Sequence, residues 1–287
     1  MELDGRVAVV TGGTRGVGAG IARAFLRAGA RVVVCARRPP DAPVEDGGRA
    51  AAFAPLDLRD PAAVAGFFPA VAERYGRLDV LVNNAGGTPY RLLDGDGDGG
   101  GGGGGAEGGG GGGGGEGGRA AGEAARHARV LALNLTAPLT ATLAAYGSLR
   151  AARGSVVMIG SVSGTRPSPG TAAYGAAKAG LEHLARSMAV EWAPHVRVNT
   201  LVLGMVRTEL SHLHYGDEAG IAAVGATVPL GRLAEPSDVG EAAVFLASER
   251  AAYVSGASLL VHGGGERPAF LDAANVNKGS GESRDGR

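Results

Sequence analysis

Short apolar runs alternate with helically spaced apolar positions along most of this chain. "RVAVVTGG" (Arg6 to Gly13) is a nearly unbroken apolar run ending in a glycine turn, the pattern of a strand buried on both faces. Val17, Ile21, Phe25 and Ala28 then recur at helical spacing, with Gly29 as a stop. "RVVVCAR" is a second strand. In "LRDPAAVAGFFPAVAERYG", Asp60 is placed to cap a helix whose first position is Pro61, where a missing N–H costs nothing. "LDVLVNNAG", "GSVVMIGS", "VRVNTLVLG" and "SLLVHGG" read as further strands, with helices over Ala172–Trp192 and Pro236–Ser248. This alternation predicts an α/β protein with a single doubly wound parallel sheet, helices on both faces and no internal repeat.

One segment breaks the rhythm. From Gly95 to Gly118, 19 of 24 residues are Gly, leaving too few side chains to bury. The expectation is one catalytic domain over 1–271, interrupted at 95–118 by a flexible insertion, with a polar tail at 272–287. The insertion falls at the sheet's carboxyl edge. It is a neutral surface expansion or a flap over a ligand, and it lacks the pattern of a phosphate loop.

Bulk properties narrow the function classes. The formal net charge is zero, which argues against an electrostatic grip on nucleic acid or an anionic membrane. The start "MELDGRVAVVTGG" has no basic region followed by an apolar core, and no apolar run approaches the roughly 18 residues a membrane span needs. Cys35 is the only cysteine, so no intrachain disulfide or thiolate metal cluster forms. A cytoplasmic, soluble protein is expected.

"TGGTRGVG" sets Gly12, Gly16 and Gly18 between the first strand and first helix. A tight turn, close approach of a pyrophosphate and close helix packing each require a missing side chain, and the helix N-terminus adds N–H donors. NAD binders carry a carboxylate at the end of the second strand for the ribose hydroxyls. Here that end reads Cys35-Ala36-Arg37-Arg38, and Arg15 lies in the glycine turn. Cations without an acid suit a 2′-phosphate, so NADP(H) is favoured over NAD(H). The alternative is that these Arg are solvated surface charges.

Composition also singles out Tyr174 and Lys178 in "TAAYGAAKAG". Of 28 Lys and Arg residues only Lys178 and Lys278 are Lys, so a mid-chain Lys hints at a place Arg could not fill. Four residues apart on a helix, Tyr174 and Lys178 share a face. A phenol with a pKa of about 10 is a poor base at neutral pH, and a neighbouring ammonium favours the phenolate. Ser161 ends the strand "SVVMIGS", where its hydroxyl could meet a substrate oxygen.

Taken together, "TGGTRGVG", Asp57 in "LDLRD", "NNAG", Asn134, Ser161, "YGAAK" and Thr208 resemble a short-chain dehydrogenase/reductase of the classical type. The likeness covers nearly the whole chain outside the Gly run and tail. The spacings agree, with 27 residues from Asn134 to Ser161, 13 to Tyr174 and four to Lys178. The resemblance implies a Rossmann sheet and these roles. Tyr174 is the acid/base as hydride passes between the nicotinamide and a carbonyl carbon. Lys178 lowers its pKa and binds the nicotinamide ribose, and Ser161 holds the substrate oxygen. Asn134 kinks its helix and holds a water linked to Lys178, and Pro138 itself disrupts that helix. Asp57 and Leu58 meet the adenine. Thr11, Gly12, Arg15, Gly16, Val17, Gly18, Arg37, Asn83, Ala85, Gly86, Gly204 and Val206 belong to the cofactor groove, and Thr208 to the carboxamide. A homotetramer packed through the helices of Asn134 and Tyr174 is also implied.

The chain departs from the family with Leu203-Gly204 where Pro-Gly is usual and His262 where an acid is common. "ELSHLHYGDEAGIAAVGATV" stands where the family keeps a substrate lid. Met205, Leu210, Leu213 and Tyr215 either wall an apolar pocket or pack the lid. His212 and His214 lack further ligands at metal spacing, so no metal is expected. Two functions remain: an NADP(H)-dependent oxidoreductase interconverting a hydrophobic ketone, 3-oxoacyl or steroid-like, and a secondary alcohol, or a dinucleotide-sensing protein on the same fold. Ser161, Tyr174, Lys178 and Asn134 together favour the enzyme, because a sensor needs no such set.

Overall fold

The computed structural model describes residues 1–87, 90, 93 and 116–273. Of the expected insertion at 95–118, only 116–118 are described, as the start of a helix; of the tail at 272–287, only 272 and 273, as the end of one. The first half runs β1 (Val7–Thr11), α1 (Gly16–Arg27), β2 (Arg31–Ala36), a small antiparallel ribbon of β3 (Glu45–Asp46) and β4 (Arg49–Ala50), β5 (Ala52–Pro55), α2 (Pro61–Tyr75) and β6 (Val80–Asn83). Next come α3 (Glu116–Leu131), α4 (Ala137–Ala152), β7 (Ser155–Ser161), α5 (Ala172–Glu191) and β8 (Arg197–Leu203). The chain continues through α6 (His212–Tyr215), α7 (Glu218–Thr227), α8 (Pro236–Ala247), β9 (Ser258–Val261) and α9 (Ala269–Ala273).

Seven strands form one parallel sheet in the order β5-β2-β1-β6-β7-β8-β9. From β1 the chain winds outward one way through β2 and β5, then returns to start the other half at β6. The order therefore reverses between β1 and β6, and a crevice opens at their carboxyl ends, where open α/β sheets bind ligands. Buried apolar side chains hold both layers. Ile21 and Phe25 of α1 with Val239 and Val244 of α8 cover one face; Phe68 of α2, Leu149 of α4 and Leu181 of α5 cover the other. Each such large side chain contributes about 1.5–3 kcal/mol when fully buried.

Local signals account for the element ends. The Asp60 carboxylate accepts from the N–H groups of Ala62 at 3.0 Å and Ala63 at 3.2 Å, with Pro61 as the first helical residue. Gly76 closes α2 at φ 80°. The kink expected at Asn134 is a single π turn over Ala132–Thr136, in which the Ala137 N–H reaches back five residues to the Ala132 carbonyl. Proline at 138 leaves the Asn134 carbonyl without a donor four residues on. The continuous helical stretch Ala120–Ala152 is long and apolar enough to cross a bilayer by length and composition. This corrects the expectation that no apolar run approaches that length; the stretch mixes small and polar residues with its apolar ones. Ala141, Ala145 and Leu149 on this stretch are fully buried against the sheet.

Candidate active site

The crevice between β1 and β6 is shaped by missing side chains. Gly12 has φ 62°, and a Cβ there would lie 2.9 Å from the Ala85 Cα. A Cβ on Gly18 would lie 2.3 Å from the Gly12 carbonyl oxygen and 2.4 Å from the Asn84 Nδ2, so only glycine lets α1 start this close to the turn. No side chain caps the N-terminus of α1. Its N–H groups and partial positive charge remain available to an anion, and this cradle fits a dinucleotide pyrophosphate. Arg15 at the N-cap and Arg37 just beyond β2 are both exposed.

Asn84 sets the crevice's width. Its Nδ2 donates to the carbonyls of Thr11 at 3.0 Å and Gly12 at 3.1 Å. Buried Thr11 accepts on its hydroxyl from the N–H groups of Asn84 at 3.0 Å and Ala85 at 3.1 Å. Asn84 stood in the "NNAG" motif with no role of its own, because the motif does not say which of its two amides faces the crevice. The Asn83 side chain points away from the crevice. Its Nδ2 donates to the Thr142 hydroxyl at 2.7 Å, inside the packing of α4 on the sheet, so only its backbone faces a ligand. The strand's two-residue alternation makes this unavoidable once Asn84 faces the crevice.

Catalytic candidates meet at the next strand. Ser161 ends β7, and its hydroxyl accepts from the Ser163 N–H at 3.2 Å. The following turn brings the chain back so that α5 lies against it: a Cβ on Gly175 would sit 2.6 Å from the Ser163 carbonyl oxygen. The small residues around Tyr174 therefore permit this close approach. Tyr174, half-buried in the first turn of α5, shares a hydrogen bond with the Ser161 hydroxyl. One turn on, the Lys178 ammonium lies 5.4 Å from the centre of the Tyr174 ring and donates to the Ile159 carbonyl at 2.7 Å. Asn134 joins them through Gly86, where a Cβ would lie 2.6 Å from Asn134 Oδ1 and 3.6 Å from Lys178 Nζ. Asn134 Oδ1 accepts from the Gly87 N–H at 3.0 Å, and its Nδ2 donates to the Gly87 carbonyl at 2.9 Å. Its amide thus clamps the loop after β6.

Electrostatics here differ from the sequence expectation. Burial pushes the Tyr174 phenol above its ordinary value, and the hydrogen bond with Ser161 only partly offsets this. Lys178 is drawn down to about 8 by burial. The lysine is itself desolvated and points one donor at Ile159, so it does not overcome the cost of a buried phenolate. A neutral phenol beside a largely protonated ammonium at pH 7 suits delivery of a proton.

Other expected positions are spread around this centre. Half-buried Val17 and Leu58 pack against the two core layers. A Cβ on Gly16 would lie 3.5 Å from the Thr208 Cγ2, so Thr208 overhangs the glycine turn. Gly204 packs on His262, and Val206 bridges to Ala234. Leu210, Leu213 and Tyr215 lie in or beside the short α6. Met205 instead lines a separate cavity of about 240 Å³ with Val228, Leu230, Leu259 and Leu260. No cluster of three metal-ligating side chains occurs among the described residues.

The family model described as short chain dehydrogenase matches residues 6–96, and that described as Enoyl-(Acyl carrier protein) reductase matches residues 115–266. An uncharacterised oxidoreductase of Mycobacterium tuberculosis is 34% identical over 271 residues, covering 92% of this chain and 93% of the relative. The chain belongs to the short-chain dehydrogenase/reductase family. The 3-oxoacyl-[acyl-carrier-protein] reductase FabG of Vibrio cholerae is 32% identical over 271 residues, covering 92% of this chain and 98% of that relative. Among short-chain dehydrogenase/reductase structures, ligand-free aldohexose dehydrogenase of Thermoplasma acidophilum superposes with a TM-score of 0.76 at 26% identity, covering 91% of this chain and 94% of that one. Membership in this family makes the chain an oxidoreductase working with NAD(P) by hydride transfer on a small-molecule substrate.

Proposed function

We propose that the protein is an NADP(H)-dependent reductase of a hydrophobic ketone, 3-oxoacyl or steroid-like, run in reverse on the matching secondary alcohol. The observation that carries this reading is the convergence of Ser161, Tyr174 and Lys178 beside the glycine cradle. The cradle and α1 hold the pyrophosphate, Arg15 and Arg37 the 2′-phosphate, Thr208 the carboxamide and Lys178 the nicotinamide ribose. The bound cofactor supplies or takes a hydride at its nicotinamide. Ser161 holds the substrate oxygen, and Tyr174 gives it a proton during reduction. Lys178 keeps positive charge next to the phenolate that results.

Leu210, Leu213 and Tyr215 support an apolar substrate, as does the likeness to a 3-oxoacyl reductase. Residues 1–271 form the catalytic domain in this reading. The exposed Leu131 and Leu143, which flank Asn134 on the continuous helix of α3 and α4, and the small residues of α5 support a homotetramer packed through the helices of Asn134 and Tyr174. The same likeness supports a cytoplasmic setting.

Cofactor choice tests the phosphate assignment. One charge-assisted contact contributes about 1.5–3 kcal/mol, so NADPH should bind about tenfold or more tighter than NADH. Arg37→Ala should remove most of that difference in a fluorescence titration. Tighter binding of NADH by the wild type would contradict the roles of Arg15 and Arg37.

A further inference from the structure

Asp57 stands at the carboxyl edge of the sheet, where the adenine end of the cofactor is expected, yet its carboxylate is already engaged. Arg59 grips it through Nε on Oδ1 at 2.9 Å, Nη2 on Oδ2 at 2.6 Å and its backbone N–H on Oδ1 at 3.0 Å. These contacts, with a smaller effect from the charge of Arg37, hold the carboxyl down at about 2. Strand register explains why Arg37 is near. Ala36 on β2 pairs with Pro55 on β5, and the Leu56 N–H donates to the Ala36 carbonyl at 3.0 Å. Arg37 and Asp57 therefore leave neighbouring strands side by side.

The ion pair is open to solvent, with side-chain exposures of 54% for Arg59 and 37% for Asp57. Such a pair contributes little to stability. Its main consequence is the choice of cation that Asp57 engages. If Arg59 were absent, Arg37 would be the nearby cation, and a bidentate Arg–carboxylate pair would compete with any phosphate for the same fork of donors.

We infer that Arg59 is a positioning residue for cofactor choice: by satisfying Asp57 it leaves the guanidinium of Arg37 available to the 2′-phosphate and cancels a carboxylate that would repel it. The inference rests on the NADP(H) reading and adds a residue to it that touches neither phosphate nor nicotinamide. Arg59 lies outside the glycine turn and the end of β2, where cofactor choice is usually sought.

Dissociation constants for NADPH and NADH, measured by fluorescence titration at low and moderate salt, test it without a known substrate. Arg59→Ala should weaken NADPH about five- to tenfold and leave NADH within about twofold. Arg59→Lys, which can still neutralise Asp57, should recover most of the loss. The thermal midpoint should not move, since the pair is exposed. Equal weakening of both cofactors would overturn the inference, showing that Arg59 merely shapes the adenine loop. No change in either would overturn it too. If Arg37→Ala weakens NADPH while Arg59→Ala does not, this inference fails and the NADP(H) reading stands. A wild type that prefers NADH sinks both.

Discussion

Replacing Tyr174 with Phe should lower turnover by about 10²- to 10⁴-fold while leaving cofactor binding in place. The substitution removes one oxygen and keeps the ring, so the packing of α5 on the turn after Ser161 survives. The lost hydrogen bond with Ser161 involves a half-buried group, and its net effect on stability is about 1 kcal/mol. Proton transfer to the substrate oxygen, however, has no substitute. Ser161 is held by the Ser163 N–H, and its hydroxyl is far too weak an acid to act alone. Steady-state kcat for the two proteins, set against their NADPH dissociation constants, separates loss of chemistry from loss of binding. A variant retaining more than about a tenth of wild-type turnover would remove Tyr174 from the proton path.

Lys178→Met should cost about a hundredfold in kcat, the usual penalty for deleting one electrostatic stabiliser from a dry site. The same variant exposes a pH signature. Lys178 is only 4% exposed, and its pKa is about 8 against an ordinary 10.5. Below about 8 the lysine is protonated in both the folded and unfolded chain, so the cost of burying its charge is constant. Between about 8 and 10.5 the unfolded chain holds a proton that the folded protein has released. Folding is therefore favoured increasingly as pH rises through that window. Wild type should gain stability relative to Lys178→Met over the same range, by at most about 3 kcal/mol. Activity moves the opposite way: kcat/KM for reduction should fall as pH rises past about 8 and the ammonium is lost. Denaturant titrations at several pH values and a pH–rate profile check the two arms. A stability difference that stays flat from pH 7 to pH 10 would contradict the buried charge.

Much of this was legible in the chain because the signals were local or rare. The Asp60-Pro61 cap, the "RVAVV" and "SVVMIG" runs and the Gly29 stop each act within a few residues, and the elements appear where those signals stand. Tyr174 and Lys178 stood out against Ala and Gly. What escaped depended on tertiary context. β5 is a short edge strand, "AFAP", too brief and too weakly patterned to register, yet its pairing with β2 brings Asp57 beside Arg37. The orientation of Asn83 and Asn84 could be settled only once one of the two faced the crevice. The Tyr174 pKa depended on how much water the fold excludes, which spacing along a helix does not reveal. Arg59, two residues from Asp57 in "LDLRD", had no role in the sequence because only the fold shows its guanidinium on that carboxylate.

The most direct test of the central claim is the transfer of deuterium from C4-labelled NADPH to a ketone, with 3-oxoacyl thioesters, steroid ketones and cyclic ketones as the panel. The account predicts an alcohol product carrying one deuterium with at least one of these classes, formed at least about a hundredfold more slowly when Tyr174 is Phe. Tight NADPH binding with no labelled alcohol from any ketone, and no reduction of NADP⁺ by the matching alcohols, would contradict it and leave a dinucleotide sensor built on a reductase fold.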